Sequence, residues 1–320
     1  MNTSPTNLPN IRIIEAMNLA LAAAREHEGA TAPNPPVGCT LLDESGAVLS
    51  AAAHLGAGQP HAEAAAIAKA RVMGVAHRIH TVVVTLEPCN HHGRTPPCTE
   101  AILATSARAV VVGMKDPNPA VKGGGTERLA AAGLNVKLYR DGKDAALARQ
   151  IAPFAKRVTQ GLPWVTVKQA LSASGSMIPP AGQKTFTSQS SLTLAHELRR
   201  RADAIFTGSG TVLSDDPLFT VRHVGDFPGK AGKLMVFDRR ERIPASYQAA
   251  AEARGLTVIL TAELEPALRL VVETGGLEVL VEAGPQFTAH VLQSKFWDEH
   301  VRITQAAGGD RVEILNREVA

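Results

Sequence analysis

The chain has 320 residues, 45% of them hydrophobic and 20% charged, which suits two ordinary soluble domains with ample apolar side chain for their cores. A formal net charge of +3 with no long basic run excludes an electrostatic case for nucleic acid, and no stretch of about 18 apolar residues marks a membrane span. Three cysteines, Cys39, Cys89 and Cys98, make no disulfide framework in a chain of this length, so a cytoplasmic protein is expected.

Residues 1–10 are polar and Pro-containing and read as a disordered arm without the apolar segment of a secretion signal. Residues 11–27 are an amphipathic helix, with Ile14, Met17, Leu21 and Ala24 at helical spacing. A Pro/Asn loop over 31–36 leads to strands at 37–42 and 47–53 around a turn, then to an Ala-rich helix at 62–73. Strands at 81–86, 109–112 and 136–139 alternate with helices at 99–104 and 125–132, giving a mixed sheet covered by helices. Pro153, Gly161 and Pro163 punctuate a boundary over 152–163, dividing the chain into domains 1–155 and 160–320. The second half alternates again, with strands at 164–168, 204–207, 234–237, 256–260, 279–282 and 301–304. Helices fall at 190–201, 266–273 and 286–293.

Chemistry concentrates in His61-Ala62-Glu63, followed by Pro88-Cys89 and later Cys98. One His and two Cys suit zinc where a fourth position stays open for water. Two thiolates neutralise much of the metal's charge, so a carboxylate must help to move protons. Glu63 stands two residues from the ligand at the start of a helix, the place of a zinc deaminase's proton shuttle. Cys89 and Cys98 each follow a proline at an expected helix start, where backbone N–H groups favour a thiolate. Cys39 lies on an apolar strand and reads as core.

Nucleic-acid deaminases place two residues between the cysteines, whereas here Asn90 to Pro97 intervene. That segment resembles the bifunctional deaminase/reductase family of riboflavin biosynthesis, as do Pro33-Asn34-Pro35-Pro36-Val37-Gly38, Thr85-Leu86-Glu87-Pro88-Cys89 and Asp116-Pro117-Asn118-Pro119. The resemblance implies a cytidine-deaminase-like α/β/α domain followed by a dihydrofolate-reductase-like α/β domain. It implies zinc on His61, Cys89 and Cys98, and hydrolytic attack on a phosphoribosylated diaminopyrimidine at the carbon bearing the 2-amino group. Glu63 is then the catalytic proton carrier, and Asn34, His54, His91 and Arg94 are substrate contacts.

In the second half the resemblance implies substrate contacts at Lys168, Arg199, Phe219, Arg222 and Glu282, and NADPH contacts at Thr207, Thr211, Asp215 and Gly284. Gly123-Gly124-Gly125 lacks the Lys-Ser/Thr of a phosphate loop and reads as a turn before a helix. Departures from the family accumulate here. Ser174 replaces an Asp, the cofactor-side Trp is absent around Gly182-Gln183-Lys184-Thr185-Phe186, Arg239 replaces a small residue, and the expected strands after 301–304 are cut short. These losses predict a weak reductase or none, and a sheet edge covered by a second copy in a homodimer. The alternative is a deaminase-only paralogue in a specialised pyrimidine or azapteridine pathway.

Overall fold

The unbroken β-branched run of Thr81–Leu86 builds the centre of the first sheet in the computed structural model, which describes residues 10–317 except 92–95, 120–123, 141, 143, 181 and 184. The expected disordered arm falls mostly outside these residues. Two compact units are present, Met1–Thr159 and Gln160–Ala320.

The first unit runs α1 (Asn10–Arg25), β1 (Gly38–Leu42), β2 (Val48–Ala53), α2 (Ala62–Val72), β3 (Thr81–Leu86), α3 (Cys98–Leu103), β4 (Ala109–Met114), α4 (Gly125–Ala131), β5 (Asn135–Leu138) and α5 (Asp144–Gln160). The sheet order is β2-β1-β3-β4-β5. β1 is antiparallel to β2 and β3, while β3, β4 and β5 are parallel. Side chains alternate across a strand. Val82 and Val84 therefore pack with Ala66, Ile67 and Ile102 on one face, and Val83 packs with Met17, Leu21 and Leu147 on the other. Both faces are covered, as continuous apolar strands require. Helix α1 comes so close to β1 that a Cβ on Gly38 would stand 1.9 Å from the Ala20 carbonyl oxygen, so this position admits only glycine.

Helix α5 was not anticipated. Pro153 and Gly161 read as linker punctuation, yet the helix passes through Pro153 and reaches Gln160. A proline costs an interior helix one hydrogen bond. Burial of Leu147, Ile151 and Phe154 along one face, and a bond from Gln150 Nε2 to the Leu21 carbonyl (3.2 Å), hold the helix against that cost.

The second unit runs β6 (Trp164–Leu171), α6 (Gln189–Arg201), β7 (Ala204–Gly208), α7 (Ser209–Asp215), β8 (Gly232–Phe237), α8 (Ala245–Ala253), β9 (Leu256–Thr261), α9 (Leu264–Glu273), β10 (Glu278–Val281), α10 (Pro285–Gln293), β11 (Glu299–Thr304) and β12 (Arg311–Asn316). The order β12-β11-β6-β10-β7-β8-β9 is parallel except for β12. The sequence reading ended the sheet at β11. Instead β12 pairs antiparallel with the whole of β11, from Glu299↔Asn316 to Thr304↔Arg311, and is itself the edge. It leaves Val312, Ile314 and Leu315 exposed.

Candidate functional site: a zinc triad and its pocket

His61 caps the N-terminus of α2 in extended conformation, and Cys98 opens α3 immediately after Pro97. Cys89 follows β3 by three residues. His61 Nδ1 lies 3.5 Å from Cys89 Sγ and 3.3 Å from Cys98 Sγ, and the three ligand atoms fall within 4.8 Å of one another. A tetrahedral centre with Zn–S near 2.3 Å and Zn–N near 2.0 Å separates nitrogen from sulfur by about 3.5 Å, so the donor set fits zinc. The Cys98 amide donates to Cys89 Sγ at 3.3 Å, a helix-start N–H aimed at sulfur. The contact with Cys98 pulls the Cys89 thiol well below its ordinary value against the opposing effect of burial, and His61 adds to the lowering. Cys98 is driven the other way by sharing its proton with Cys89. Two sulfurs competing for one proton are both relieved of it by a divalent cation.

Glu63 sits in the first turn of α2, almost fully buried. Burial raises its carboxyl above the usual range, and the Cys89 charge adds to this, while its own backbone amide opposes it. An acid of raised pKa against the ligand set is suited to take and return protons.

His61, Glu63 and Cys89 share the wall of a cavity of about 460 Å³. Asn34, His54 and His91, named in the sequence reading as substrate contacts, line it too. Arg94 lies outside the described residues. The cavity also brings in Glu87, Asp116, Asn118 and Phe154, to which the sequence reading gave no role. Glu87 accepts the Asp116 amide (3.2 Å), the Thr126 amide (3.0 Å) and the Thr126 hydroxyl (2.7 Å), tying the 116–118 loop and the start of α4 to the cysteine segment. Asp116 in turn accepts the Asn118 amide at 2.8 Å. The Asp116-Pro117-Asn118-Pro119 motif was the available signal. Gly125 is a close-packing position: its Cβ would stand 1.8 Å from the Pro88 carbonyl oxygen.

In the second unit the register of β6 against β10 pairs Val167 with Val281, so Lys168 and Glu282 emerge side by side. Lys168 Nζ is 2.8 Å from Glu282 Oε1. Arg199 grips the same carboxylate through Nε (2.7 Å) and Nη2 (2.8 Å), and donates to the Thr220 carbonyl through Nη1 (3.2 Å). Burial alone would raise the Glu282 carboxyl, but the two cations hold it far below the carboxylate range. The Arg222 amide donates to His196 Nδ1, and the Arg222 side chain is exposed. Phe219, which the resemblance names as a substrate contact, is buried beside Val212 and Leu234 and also lines a cavity with Arg199 and Thr220.

Thr207, one residue before the end of β7, has a buried hydroxyl with no partner among the described residues, and Thr211 accepts the Gly284 amide at 2.7 Å. A Cβ on Gly284 would meet the Thr211 hydroxyl at 3.3 Å. Residues 209–215 form helix α7 where a loop was expected, with Asp215 exposed at its end. The starts of α7 and α10 thus meet, beyond β7 and β10, through the Thr211–Gly284 hydrogen bond, an arrangement that fits a phosphate-bearing cofactor.

Fold and site together define a zinc deaminase joined to a reductase-type domain. Residues 12–114 match the cytidine and deoxycytidylate deaminase zinc-binding region, and residues 163–307 match the RibD C-terminal domain. The riboflavin biosynthesis protein RibD of Aquifex aeolicus (strain VF5) is 36% identical over 298 residues, covering 92% of this chain and 80% of the relative. That of Mycobacterium tuberculosis (strain ATCC 25618 / H37Rv) is 35% identical over 296 residues, covering 90% and 84%. A solved structure of Acinetobacter baumannii RibD superposes with a TM-score of 0.78 at 29% identity, covering 92% of this chain and 87% of that one. The deaminase/reductase structure from Thermotoga maritima gives 0.76 at 26%, covering 93% and 88%. The chain belongs to the RibD family. It is a riboflavin-biosynthesis enzyme, a zinc-dependent deaminase carrying the NADPH-type reductase domain of that family. Among the described residues no helix is long and apolar enough to cross a membrane.

Proposed function

We propose that the first unit hydrolytically deaminates 2,5-diamino-6-(5-phosphoribosylamino)pyrimidin-4-one, and that the second unit is a weak NADPH-dependent reductase or none. One observation carries the reading: Glu63, His61 and Cys89 line a single cavity that also presents Asn34, His54 and His91, and Cys98 completes the triad with its ligand atom within 4.8 Å of theirs. His61, Cys89 and Cys98 would hold zinc, which would supply Lewis-acid activation of the attacking water. Glu63 accepts a proton from the attacking water and delivers it to the ring nitrogen beside the reacting carbon. It then carries the second proton to the departing amine, which leaves as ammonia, so the carboxyl ends as it began. Asn34 and the Asn118 loop offer polar groups to the edges of the heterocycle, and Arg94 supplies a phosphate contact.

The reduction would open the ribose to a ribityl chain, with Arg199, Lys168 and Glu282 holding substrate opposite the Thr211–Gly284 corner. The enzyme acts in the cytoplasm as a homodimer. Three cysteines free of disulfides suit a reducing compartment, and the exposed apolar residues of β12 suit burial by a second copy. The test supplies the diaminopyrimidine phosphoriboside with and without NADPH and identifies products by mass. Loss of one amine without NADPH supports the reading, whereas an unchanged substrate refutes it.

A further inference from the structure

We propose that Phe154 is the aromatic wall on which the pyrimidine ring of the substrate packs, and so a specificity-determining residue of the deaminase site. The inference rests on the deaminase reading above. Deamination needs the ring presented edge-first, with the amine-bearing carbon at the triad and the neighbouring nitrogen at Glu63. Asn34, Asp116 and Asn118 can meet the ring's polar edges. Its flat faces carry no polar group and need an apolar surface. Among the described residues lining the cavity, Phe154 is the one carbocyclic aromatic ring. Two of the three lining imidazoles are committed elsewhere, and His91 remains as a polar edge. His61 faces both sulfurs, and His54 is engaged at both nitrogens and stands edge-on to His61 at 76°.

Phe154 is also held in advance. It continues the buried stripe of Leu147 and Ile151 on α5, and Gln150 between them is bonded to the carbonyl of Leu21 on α1. A ring fixed by its own helix loses little freedom when a ligand settles on it. Through Phe154, α5 adds an aromatic face to a lining whose other apolar members, among the described residues, are aliphatic, such as Val37 and Leu86.

The experiment compares Phe154→Leu, which keeps apolar volume but removes the π-face, with Phe154→Tyr, which keeps the face. Steady-state deamination of the diaminopyrimidine phosphoriboside, zinc content and the thermal midpoint are measured for each. Phe154→Leu should raise KM about 5- to 100-fold, the range expected for one lost aromatic–heterocycle contact, with kcat within about threefold and zinc unchanged. Phe154→Tyr should keep KM within about threefold of the parent. A parent-like KM in Phe154→Leu overturns the proposal. So does a joint fall in kcat, zinc and thermal midpoint, which marks a purely structural ring. Failure of the parent enzyme to deaminate this substrate would instead overturn the reading beneath it.

Discussion

The Asn34 amide nitrogen lies 3.0 Å from His54 Nε2, and His54 Nδ1 lies 3.1 Å from the Pro60 carbonyl oxygen. A carbonyl only accepts, so the ring proton is on Nδ1 and Nε2 receives the Asn34 amide. Burial, with nearby His61, lowers the imidazole's pKa and favours this neutral form. The pair thus orients the rest of the Asn34 amide relative to the cavity. Asn34→Ala should leave zinc in place and raise KM about 5- to 100-fold, the effect of roughly 1–3 kcal/mol for stranded polar groups. Steady-state kinetics with metal analysis would check it.

Replacing Glu63 by Gln keeps shape and hydrogen bonding but removes the proton carrier. The variant should fold, retain one zinc per chain and lose about 10²–10⁴-fold in kcat, the usual worth of general acid–base help. Elemental analysis beside the kinetics decides the assignment. Release of metal by Glu63→Gln would make that carboxylate a ligand.

Zinc removal gives a separate test of the triad. Chelated protein should lose deamination and recover it with one equivalent of zinc per chain, since three ligands and an open position define a catalytic centre. Cys98→Ala should fail to recover even with excess zinc. A metal-free protein that still deaminates would refute the centre.

Glu282 supplies a prediction in pH. Its folded pKa lies below the ordinary value of 4.5, so its stabilising effect is fully present above that value and is lost as pH falls through the depressed folded value. Glu282→Gln strands Lys168 and Arg199 in a part-buried site and should cost about 3–5 kcal/mol at neutral pH, the range for breaking a buried pair. Denaturant titrations of parent and variant should differ by a constant amount above about pH 4.5 and converge in stronger acid. A gap that widens on acidification would contradict the ion cluster.

The zinc residues and the central strand were legible because each carries a local signature, a spaced His-x-Glu with two Pro-Cys pairs and a β-branched run. Helix α5 was not, because Pro153 and Gly161 outweighed the Leu147, Ile151 and Phe154 stripe when no packing partner was in view. Phe154 was therefore invisible as a wall of the pocket. Strand β12 was missed because six residues with charges at Arg311 and Glu313 give no alternation strong enough to mark an edge strand. Lys168, Arg199 and Glu282 were named through family resemblance as separate substrate contacts, and their ion pairing was not foreseen. Ion pairing between residues so distant in the chain is created by the β6–β10 register, which no local pattern encodes.

The last prediction concerns hydride transfer, which we expect to be much slower than deamination. Transfer needs the nicotinamide held about 3–3.5 Å from the ribose carbon in a near-attack geometry. Groups that the resemblance assigns to that clamp are held by neighbours: Glu282 by Lys168 and Arg199, and the Thr211 hydroxyl by the Gly284 amide. Other parts are altered. Ser174, where the family carries Asp, lies with its hydroxyl 3.0 Å from that of Ser172 in a surface turn and brings no charge. Phe186 falls in the segment where the resemblance implies a cofactor-side Trp. Arg239 is exposed and its Nε donates to the Ala262 carbonyl at 3.3 Å, which leaves the two terminal nitrogens of its guanidinium for a phosphate. Binding and chemistry should therefore separate. Calorimetric titration should detect NADPH, and Arg239→Ala should weaken NADPH more than NADH. Single-turnover reduction of the deaminated intermediate should lag the deamination rate by an order of magnitude or more, since about 1 Å of misplacement costs roughly 10²-fold. NADPH-dependent turnover equal to the deamination rate would show instead that Ser174 and Phe186 suffice.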